Sequence, residues 1–393
     1  MAEKEEVARG RIIINEIEKE KWPNYIREAK KTRYPLDLYG ASLYYKHDLW
    51  STGGYVSVPG TPTGILMRVT ARPDIGESAN VVRIYVPSGN FLDSDMMDKI
   101  CDFADKYGVG MVHALTTSHS IEIPGIPKER IREFVEDFRS KGFDVGSTGD
   151  AFRNTTNCVG AALCEYANID TMGMRDHFYD RFMDYAKYPM FPHKMKLKIS
   201  GCPLDCARAT QKADIGVIGT WVGEPEVDQR AVSAMPADKL DDIVRSCPTG
   251  AISRTENGIK INAEDCIQCM ACIRKAGGAI APGKEKRYLI YVGGKLRGKK
   301  GPFLSKLLTV VKTEDEAFGL IEKIMNVFAD NAARKERIGD LIARIGMKAF
   351  LDLVGIDPSP MNVRVPRQDI FYGVNDNERE IMVDELKKAL GGD

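Results

Sequence analysis

The stretch K-M-K-L-K-I-S-G-C-P-L-D-C, residues 194–206, carries three lysines on alternate positions and then two cysteines four residues apart. Residues two apart share a face of a β-strand, so the alternation predicts a strand over 194–199 with all three lysines on one side. Two interpretations follow: a solvated strand that precedes a turn, or an anion site beside a metal centre. The remaining cysteines of the chain bear on this choice.

The composition is that of a globular protein without an overall charge bias. The 393 residues suffice for two or three domains with substantial cores. The 56 basic and 56 acidic side chains cancel, so the total charge favours neither nucleic acid nor an anionic membrane. No apolar run reaches the roughly 18 residues of a membrane span, and the charged N-terminus lacks an apolar signal region, so a cytoplasmic protein is expected.

The cysteines are the unusual feature of this composition. Eight of the nine fall between Cys158 and Cys272. Thiols stay reduced in the cytoplasm, where a cluster of them more often binds metal or does chemistry than forms disulfides. The ninth, Cys101, falls in an amphipathic helical pattern with Ile100 and Phe103 and is predicted to be a small core thiol.

The distal cysteines predict an iron–sulfur cluster. The segment C-I-Q-C-M-A-C, residues 266–272, has the C-x2-C-x2-C spacing that supplies three thiolates to a [4Fe–4S] cluster, and a remote Cys-Pro provides the fourth ligand in such proteins. The alternative is a structural zinc site, whose four thiolates usually come as two C-x2-C pairs. The predicted ligands are Cys247, Cys266, Cys269 and Cys272.

A second, proximal set of cysteines consists of Cys158 and Cys164, in a C-x5-C pair, and Cys202 and Cys206, in a C-x3-C pair. C-x5-C is poor zinc-finger spacing, and pairs about 40 residues apart suggest ligands from separate loops. Four more thiolates could hold a second cluster. The alternative is a group of buried free cysteines.

C-x5-C followed by G-C-x3-C resembles the coupled-cluster motif of the sirohaem-dependent sulfite and nitrite reductases. V-R-I-Y-V-P-S-G, F-P-H-K-M-K-L-K-I-S-G-C and I-G-M-K-A-F-L-D-L-V-G are similar to the alpha subunit of dissimilatory sulfite reductase, and the inserted cluster segment is typical of that branch. The resemblance implies sirohaem and two [4Fe–4S] clusters as cofactors. It also implies that Cys206, the last proximal thiolate, bridges its cluster to the sirohaem iron.

In that family two arginines and two lysines surround the substrate face of the active haem. By position in the matching motifs these would be Arg83, Arg153, Lys194 and Lys196, with both arginines also contacting the cofactor. Lys198 is expected to bind a sirohaem carboxylate. Without the resemblance, a solvated basic face would be the usual interpretation of the lysine row.

The predicted fold class is α+β, with sulfite-reductase-type sirohaem domains of antiparallel and mixed sheets flanked by helices, and an inserted ferredoxin-like [4Fe–4S] module. A strand at 81–86, a helix ending at Gly108, a hairpin at 110–115 and 119–123, and a helix from Pro127 to Lys141 predict an antiparallel half domain. Y-L-I-Y-V-G-G-K-L, residues 288–296, predicts another hairpin, and helices are expected to fill much of 313–356.

Five regions are predicted from these patterns. They are an N-terminal helical arm and loop at 1–60, the half domain on the substrate and sirohaem side at 61–150, the sirohaem and coupled-cluster domain at 151–239, the inserted ferredoxin domain at 240–284, and the completion of the sirohaem domain with C-terminal helices at 285–393.

The resemblance implies six-electron reduction of sulfite toward sulfide. It also implies a homologous beta subunit, in an α2β2 assembly, and a small sulfur-carrier or electron-donor protein as a further partner. Nitrite reduction, sulfide oxidation in the reverse direction and a non-catalytic iron–sulfur electron carrier remain alternatives. An electron carrier would contain two clusters and no tetrapyrrole absorption band.

Overall fold

A computed structural model describes residues 55–57, 61, 63–68, 80–108, 110–115, 120–296 and 302–359, without the side chains of 55–57, 67 and 68. All nine cysteines and all the predicted site residues are among them. The predicted N-terminal arm lies almost wholly outside the described residues, as does the chain after residue 359.

The strands and helices alternate irregularly along the chain. The strands are β1 (Tyr55–Ser57), β2 (Ile65–Arg68), β3 (Asn80–Ile84), β4 (His113–Leu115), β5 (Ser120–Ile126), β6 (Thr156–Asn157), β7 (Leu197–Ser200), β8 (Ile215–Trp221), β9 (Glu226–Val227), β10 (Ile252–Thr255), β11 (Gly258–Ile261), β12 (Ile280–Ala281), β13 (Lys286–Val292) and β14 (Lys306–Val311). The α-helices are α1 (Ser94–Tyr107), α2 (Ile131–Ser140), α3 (Thr171–Lys187), α4 (Ala209–Lys212), α5 (Gln229–Ser233), α6 (Ala237–Arg245), α7 (Ala271–Lys275), α8 (Glu314–Asn331), α9 (Ile338–Ile345) and α10 (Met347–Val354).

The first sheet is antiparallel, with its strands in the order β1-β2-β3-β5-β4. Helices α1 and α2 bury their apolar sides in one core with this sheet, through aromatic contacts such as Phe103 against Phe138, whose ring centroids are 4.9 Å apart. The predicted antiparallel half domain and its hairpin are confirmed. Cys101, however, is exposed, because it lies one position beyond Ile100 and so off the buried stripe of α1. Its prediction as a core thiol is wrong.

The second sheet is mixed, with its strands in the order β14-β13-β8-β7-β6. The pairs β6–β7 and β7–β8 are parallel, whereas β13 is antiparallel to both β8 and β14. Every residue of β8 is buried, as expected for a central strand with both faces covered. The predicted hairpin at 288–296 is wrong, because β13 pairs with β14 after a connection that begins at Gly293 and ends at Ser305.

Helices cover the second sheet and complete its core. Helix α3 crosses between β6 and β7, and α8, α9 and α10 confirm the predicted helical content of 313–356. Helix α8 begins with a capping box, in which Thr313 and Glu316 satisfy each other's backbone N–H groups. Within the described ranges, no helix is long and apolar enough to cross a membrane.

A small module is inserted between two neighbouring strands of the second sheet. The chain leaves β8 at Trp221 and returns at Lys286, which is the residue that pairs with Trp221 in β13. The Val222 N–H donates to the Glu285 carbonyl at 2.9 Å and closes the base of the insertion. The module contains the β10–β11 hairpin, the β9–β12 pair and helices α5, α6 and α7 around a separate apolar core.

The second core generates a stability prediction at Phe178, which is fully buried in α3 and packs against Phe152 with ring centroids 4.7 Å apart. Phe178→Ala is expected to cost about 3–5 kcal/mol of unfolding free energy, because it leaves a cavity in a close-packed interior. Urea unfolding followed by circular dichroism measures the loss. Tyr188→Ala removes an aromatic ring that is 60% exposed and is expected to change stability by less than about 0.5 kcal/mol. Equal effects of the two substitutions would contradict the packing assignment.

Candidate functional site

A small cavity lies where the first sheet meets the second. Strands β3 and β5 contribute Arg83 and Ser120, and the segment around β6 and β7 contributes the remaining lining residues. The structure therefore brings together four of the predicted cations from three distant parts of the chain. They are Arg83, Arg153, Lys196 and Lys198.

Arg83 is held by a carboxylate on the neighbouring strand. Glu122 lies opposite Arg83 in the β3–β5 pair. Its Oε1 accepts hydrogen bonds from Arg83 Nε at 3.2 Å and from Arg83 Nη2 at 2.7 Å. His113 lies opposite Glu122 on the other side, with its Nδ1 3.3 Å from Glu122 Oε2. Glu122 thus orients the guanidinium at the cavity. Sequence reasoning missed it, because the cross-strand register was the only signal that could have found it.

Two hydrogen bonds fix the position of Arg153 in the loop before β6. Its Nε donates to the Gly149 carbonyl at 3.0 Å, and its backbone N–H donates to the Met195 carbonyl at 2.8 Å. Burial, followed by the nearby charges of Arg83 and Arg337, lowers the pKa of Arg153 to about 10. The lowered pKa of Arg153 therefore reflects first its burial and second the nearness of other cations.

Lys196 is the half-buried lysine of the site. Burial, followed by the charge of Arg337, lowers its pKa to about 7, although Asp214 opposes this shift. The Asp214 carboxylate forms an ion pair with Arg337, which donates to it from Nε at 2.7 Å and from Nη2 at 2.5 Å. Within the described part of the chain, no carbonyl or carboxylate accepts from the Lys196 ammonium. This group is therefore available to an anion in the cavity.

Arg337 and Asp214 were not predicted as site residues. Asp214 is almost fully buried, and it also accepts from the Lys196 backbone N–H at 2.9 Å. The pair therefore positions Lys196 through its backbone while Arg337 lowers the pKa of its side chain. Arg337 precedes α9, more than a hundred residues from Asp214, and no motif connects the two positions in sequence.

Lys198 connects the cavity to the cysteine loop. Its side chain is buried in β7, and its ammonium donates to the Ala207 carbonyl at 2.8 Å, one residue after Cys206. Burial, followed by the charge of Lys212, lowers the pKa of Lys198 to about 8. Cation site and cysteine loop are therefore in direct contact through one side chain.

The predicted lysine strand is shorter than the alternation indicated. Strand β7 begins at Leu197, and the Lys196 N–H bonds to a carboxylate instead of to a neighbouring strand. Lys196 and Lys198 line the same cavity as expected, but Lys194 does not line it. Lys194 still contributes a positive charge that lowers the pKa of Lys196.

The proximal thiols converge at one edge of the second sheet. Cys158 follows β6 and Cys202 follows β7, and because these strands are parallel their carboxyl ends meet. Burial, followed by the neighbouring Cys164, Cys206 and Cys158, raises the pKa of Cys202 to about 11. The sulfurs of Cys158, Cys164 and Cys206 therefore lie near Cys202, so the four thiols can serve one site.

The loop that carries Cys202 and Cys206 is held by Asp205, which adopts a left-handed φ of 49°. The Asp205 carboxylate accepts from the Ser200 hydroxyl at 2.8 Å and from the Ala209 N–H at 2.7 Å. Opposite this loop, the Gly201 N–H donates to the Cys158 sulfur at 3.2 Å. Such N–H to sulfur hydrogen bonds stabilise a thiolate that serves as a metal ligand. Asp205 is a further positioning residue, which the sequence analysis did not identify.

The distal thiols also share one cavity, which is lined by all four predicted ligands and mostly by apolar side chains. Burial, followed by Cys266 and Cys269, raises the pKa of Cys272 to about 11. Gln268 and Met270, between the cysteines, have left-handed φ values of 56° and 70°, so the loop winds tightly around the cavity.

A single metal ion fits these thiols less well than a cluster. No group of three or more His, Cys, Asp or Glu among the described residues is arranged to hold one ion. A [4Fe–4S] cluster binds each thiolate to a different iron, which needs wider spacing than one tetrahedral ion allows. The four distal thiols, in a mostly apolar pocket, therefore fit a cluster, and the proximal set offers the same four thiol donors.

Gln268 fixes the position of the distal cysteine loop relative to the sheet that carries the proximal thiols. Its side-chain amide nitrogen donates to the Trp221 carbonyl at 2.8 Å, and its amide oxygen accepts from the Thr220 hydroxyl at 2.8 Å. The distal loop is thereby attached to the end of β8, in the sheet whose edge carries the proximal thiols. Cys202 and Cys272 belong to the same apolar cluster.

Comparison with known proteins agrees with this geometry. The family described as Nitrite and sulphite reductase 4Fe-4S domain matches residues 148–360, and the Nitrite/Sulfite reductase ferredoxin-like half domain matches residues 76–141. The two matches cover the second sheet with its insertion and much of the first sheet. They confirm the predicted fold class.

Individual relatives extend the likeness to nearly the whole chain. The chain is 31% identical over 387 residues to the dissimilatory-type sulfite reductase subunit alpha of Allochromatium vinosum, covering 91% of this chain and 93% of the relative. It is 26% identical over 334 residues to the dissimilatory-type subunit beta of Nitratidesulfovibrio vulgaris, covering 79% and 84%. The crystal structure of dissimilatory sulfite reductase I superposes with a TM-score of 0.76 at 24% identity, covering 93% of this chain and 94% of that chain.

One family description thus spans more than half of the sequence, and one relative is 31% identical along most of it. The chain belongs to the nitrite and sulphite reductase family, among the dissimilatory-type sulfite reductase alpha subunits.

Proposed function

We propose that this chain is the alpha subunit of an oxidoreductase that reduces sulfite toward sulfide with six electrons. The observation that carries the proposal is the contact between the cation cavity and the proximal cysteine loop through Lys198. An anion held by these cations would lie beside a redox centre. Neither a plain basic surface nor an isolated cluster would need this arrangement.

The residues present fit sirohaem and two [4Fe–4S] clusters as cofactors. Cys158, Cys164, Cys202 and Cys206 would hold the proximal cluster, with Cys206, which is exposed, as the bridge to the sirohaem iron. The distal cluster would be held by Cys247, Cys266, Cys269 and Cys272. Sirohaem carries several carboxylates, and the buried cations would neutralise them. When bound, the sirohaem and its coupled cluster supply the metal that binds the sulfur and the store of electrons.

The chain's own cations would bind and orient the substrate. Arg83 and Arg153 present forked donors to sulfite oxygens, and Glu122 and the Gly149 carbonyl fix their orientations. Lys196 would supply both charge and a proton to an oxygen that leaves as water. Its pKa of about 7 suits a group that gives up a proton near neutral pH. Lys194 would act at a longer distance, through its charge.

The module would admit electrons from a donor protein to the distal cluster. Gln268 holds the distal cysteine loop against the end of β8, and one apolar core extends from there to Cys202. The proposed order is donor, distal cluster, proximal cluster and substrate. The predicted domain boundaries at 150 and 284 remain part of this proposal, and the proposed start of the module moves from 240 to Val222, where the chain leaves β8.

A homologous beta subunit is the proposed partner, in an α2β2 assembly, because the chain resembles relatives named both alpha and beta. A small sulfur-carrier or electron-donor protein is a second proposed partner. All nine cysteines are free, and eight of them would need to stay reduced until metal is inserted, which favours a cytoplasmic location.

Nitrite is the second candidate substrate, since the matching family description names nitrite and sulphite reductases together. Steady-state kinetics of the purified protein with both anions distinguishes the candidates. The leading proposal expects the larger kcat/KM for sulfite, and a larger value for nitrite would replace it.

Cys206→Ser tests the coupled centre. We expect the variant to lose the tetrapyrrole absorption band or its coupling to the cluster, because the proposed bridging thiolate is gone. Absorption spectra and assays for iron and acid-labile sulfide measure this after expression in a host that makes sirohaem. Cys247→Ser is the matched variant. It should lose about half of the iron and keep the tetrapyrrole band.

Cys101→Ser, at the exposed ninth cysteine, should leave both the spectrum and the iron content unchanged. A parent protein with two clusters and no tetrapyrrole band would replace the proposal with a non-catalytic electron carrier.

Lys196→Met tests the cation cavity. The variant keeps the length of the side chain and removes its charge, so we expect an unchanged absorption spectrum and a loss of about 10²-fold in kcat/KM for sulfite. Lys312→Met, at an exposed position before α8, is the control and should behave like the parent. If Lys196→Met has the same kcat/KM as the parent, the lysines at 194, 196 and 198 are better interpreted as part of a solvated strand.

The pH dependence tests the lowered pKa of Lys196. The ammonium is charged below its pKa of about 7 and neutral above it, so kcat/KM should fall as pH rises through this value. The guanidinium in Lys196→Arg stays charged over this pH range. The ionisation of sulfite itself affects the parent and the variant equally, so it cancels when the two are compared. The ratio of kcat/KM for the parent to that for Lys196→Arg should therefore decline between about pH 6 and pH 9. A flat ratio would show that Lys196 does not titrate in the working enzyme.

A further inference from the structure

The indole Nε1–H of Trp221 is buried without an acceptor. Trp221 is 2% exposed, and its Nε1 has no hydrogen-bond partner among the described residues. Leaving a buried donor unpaired costs about 1–3 kcal/mol, and native proteins seldom accept this without a bound partner. An indole nitrogen can only donate, so the missing partner must be an acceptor.

The surroundings of Trp221 identify the kind of acceptor. Trp221 lines the same cavity as the four distal thiols. Its own carbonyl accepts from Gln268, the residue that lies between Cys266 and Cys269. The other buried polar atoms without partners, Tyr85 Oη and Thr155 Oγ1, belong to residues that do not line this cavity.

The ring of Trp221 is closely held. A side chain at Gly283 would bring its Cβ within 2.6 Å of Trp221 Cδ1 and within 3.0 Å of the Val222 carbonyl oxygen. Gly283 does not have a left-handed φ, so space for the ring, and not backbone freedom, accounts for a glycine there. Strand β8 fixes the backbone of Trp221 on one side while Gly283 admits the indole on the other.

We propose that Trp221 Nε1–H donates a hydrogen bond to a sulfur of the distal [4Fe–4S] cluster and raises the reduction potential of that cluster. The inference rests on the proposed function, which assigns a cluster to these thiols. Reduction adds negative charge to the cluster and its sulfurs, so a fixed donor stabilises the reduced form more than the oxidised form. Hydrogen bonds to the sulfurs are one of the factors that set such potentials, and burial strengthens them.

This role makes Trp221 a positioning and tuning residue at the electron entry. A higher potential draws an electron from the donor protein into the chain. Trp221 belongs to the apolar cluster that also contains Cys202 and Cys272, one thiol from each set. Its effect should nevertheless be confined to the distal cluster, whose cavity it lines.

Trp221→Phe tests the proposal, because it removes the donor and keeps an aromatic ring. The purified holoprotein is titrated with reductant at controlled potentials, and electron paramagnetic resonance follows the reduced distal cluster. At a fixed potential near the parent midpoint, we expect the ratio of reduced to oxidised distal cluster to fall about tenfold, a shift of about 59 mV for one electron. The potential of the proximal cluster is an internal control and should not change.

Ile252→Leu is the matched control variant. Ile252 is buried and lines the same cavity outside the cysteine loop, and it offers no N–H from its side chain. Its substitution reports the effect of repacking alone, and it should leave the potential of the distal cluster unchanged. A potential in Trp221→Phe equal to that of the parent, with the cluster intact, overturns the inference and leaves the proposed function standing.

A measurement on the parent protein covers the case in which Trp221→Phe fails to retain its cluster. With 15N in the indole nitrogen of tryptophan, a hyperfine coupling between that nitrogen and the reduced distal cluster is expected. Its absence overturns the inference whatever the variant does. An iron and sulfide assay that finds no distal cluster in the parent would overturn the proposed function and this inference together.

Discussion

Thr156 and Asn157 lie in parallel register with Lys198 and Ile199, and this short pairing of β6 with β7 is the constraint on which the site depends. Because both strands run the same way, the residues that follow them leave the sheet at one edge. Cys158 and Cys202 are thereby brought together although they are far apart in the sequence. The residues before the same strands, Arg153 and Lys196, meet in the cation cavity at the other end of the pairing.

The cavity brings several positive charges together, and these charges repel one another. The surrounding residues reduce this repulsion but do not remove it. Glu122 neutralises Arg83, and Asp214 neutralises Arg337, while burial and neighbouring cations lower the pKa values of Arg153, Lys196 and Lys198. A cavity built only for stability would use apolar residues here, since buried like charges destabilise a folded chain. An anionic ligand at the proposed site would relieve this repulsion, and part of the free energy lost by burying these charges would return as binding free energy.

The inserted module meets the second sheet at the point where the two thiol sets approach each other. Its ends join between Val222 and Glu285, so the insertion leaves the β8–β13 pairing intact. Gln268 then attaches the distal cysteine loop to the end of β8. A module connected by its base alone could rotate about that base, whereas this second attachment fixes the relation between the two loops.

Local sequence patterns were sufficient to predict the chemistry of the metal ligands. The spacing of the cysteines indicated two four-thiol sets, the motifs around Arg83 and Arg153 indicated the cations, and local periodicity predicted most helices and the antiparallel half domain. Spacing reports the thiols and side-chain period reports the helices and strands directly, because both are properties of neighbouring residues. The cations were implied by the resemblance of their motifs to the reductase family. Only the tertiary structure decided that Lys194 lies off the cavity, that Cys101 is exposed, and that β13 pairs with β14 across a long connection. Glu122, Asp214 and Arg337 likewise became visible only when strand register and helix packing brought distant parts of the chain together. Their roles depend on burial and on charges contributed from elsewhere in the fold, and neither quantity is encoded in the residues next to them.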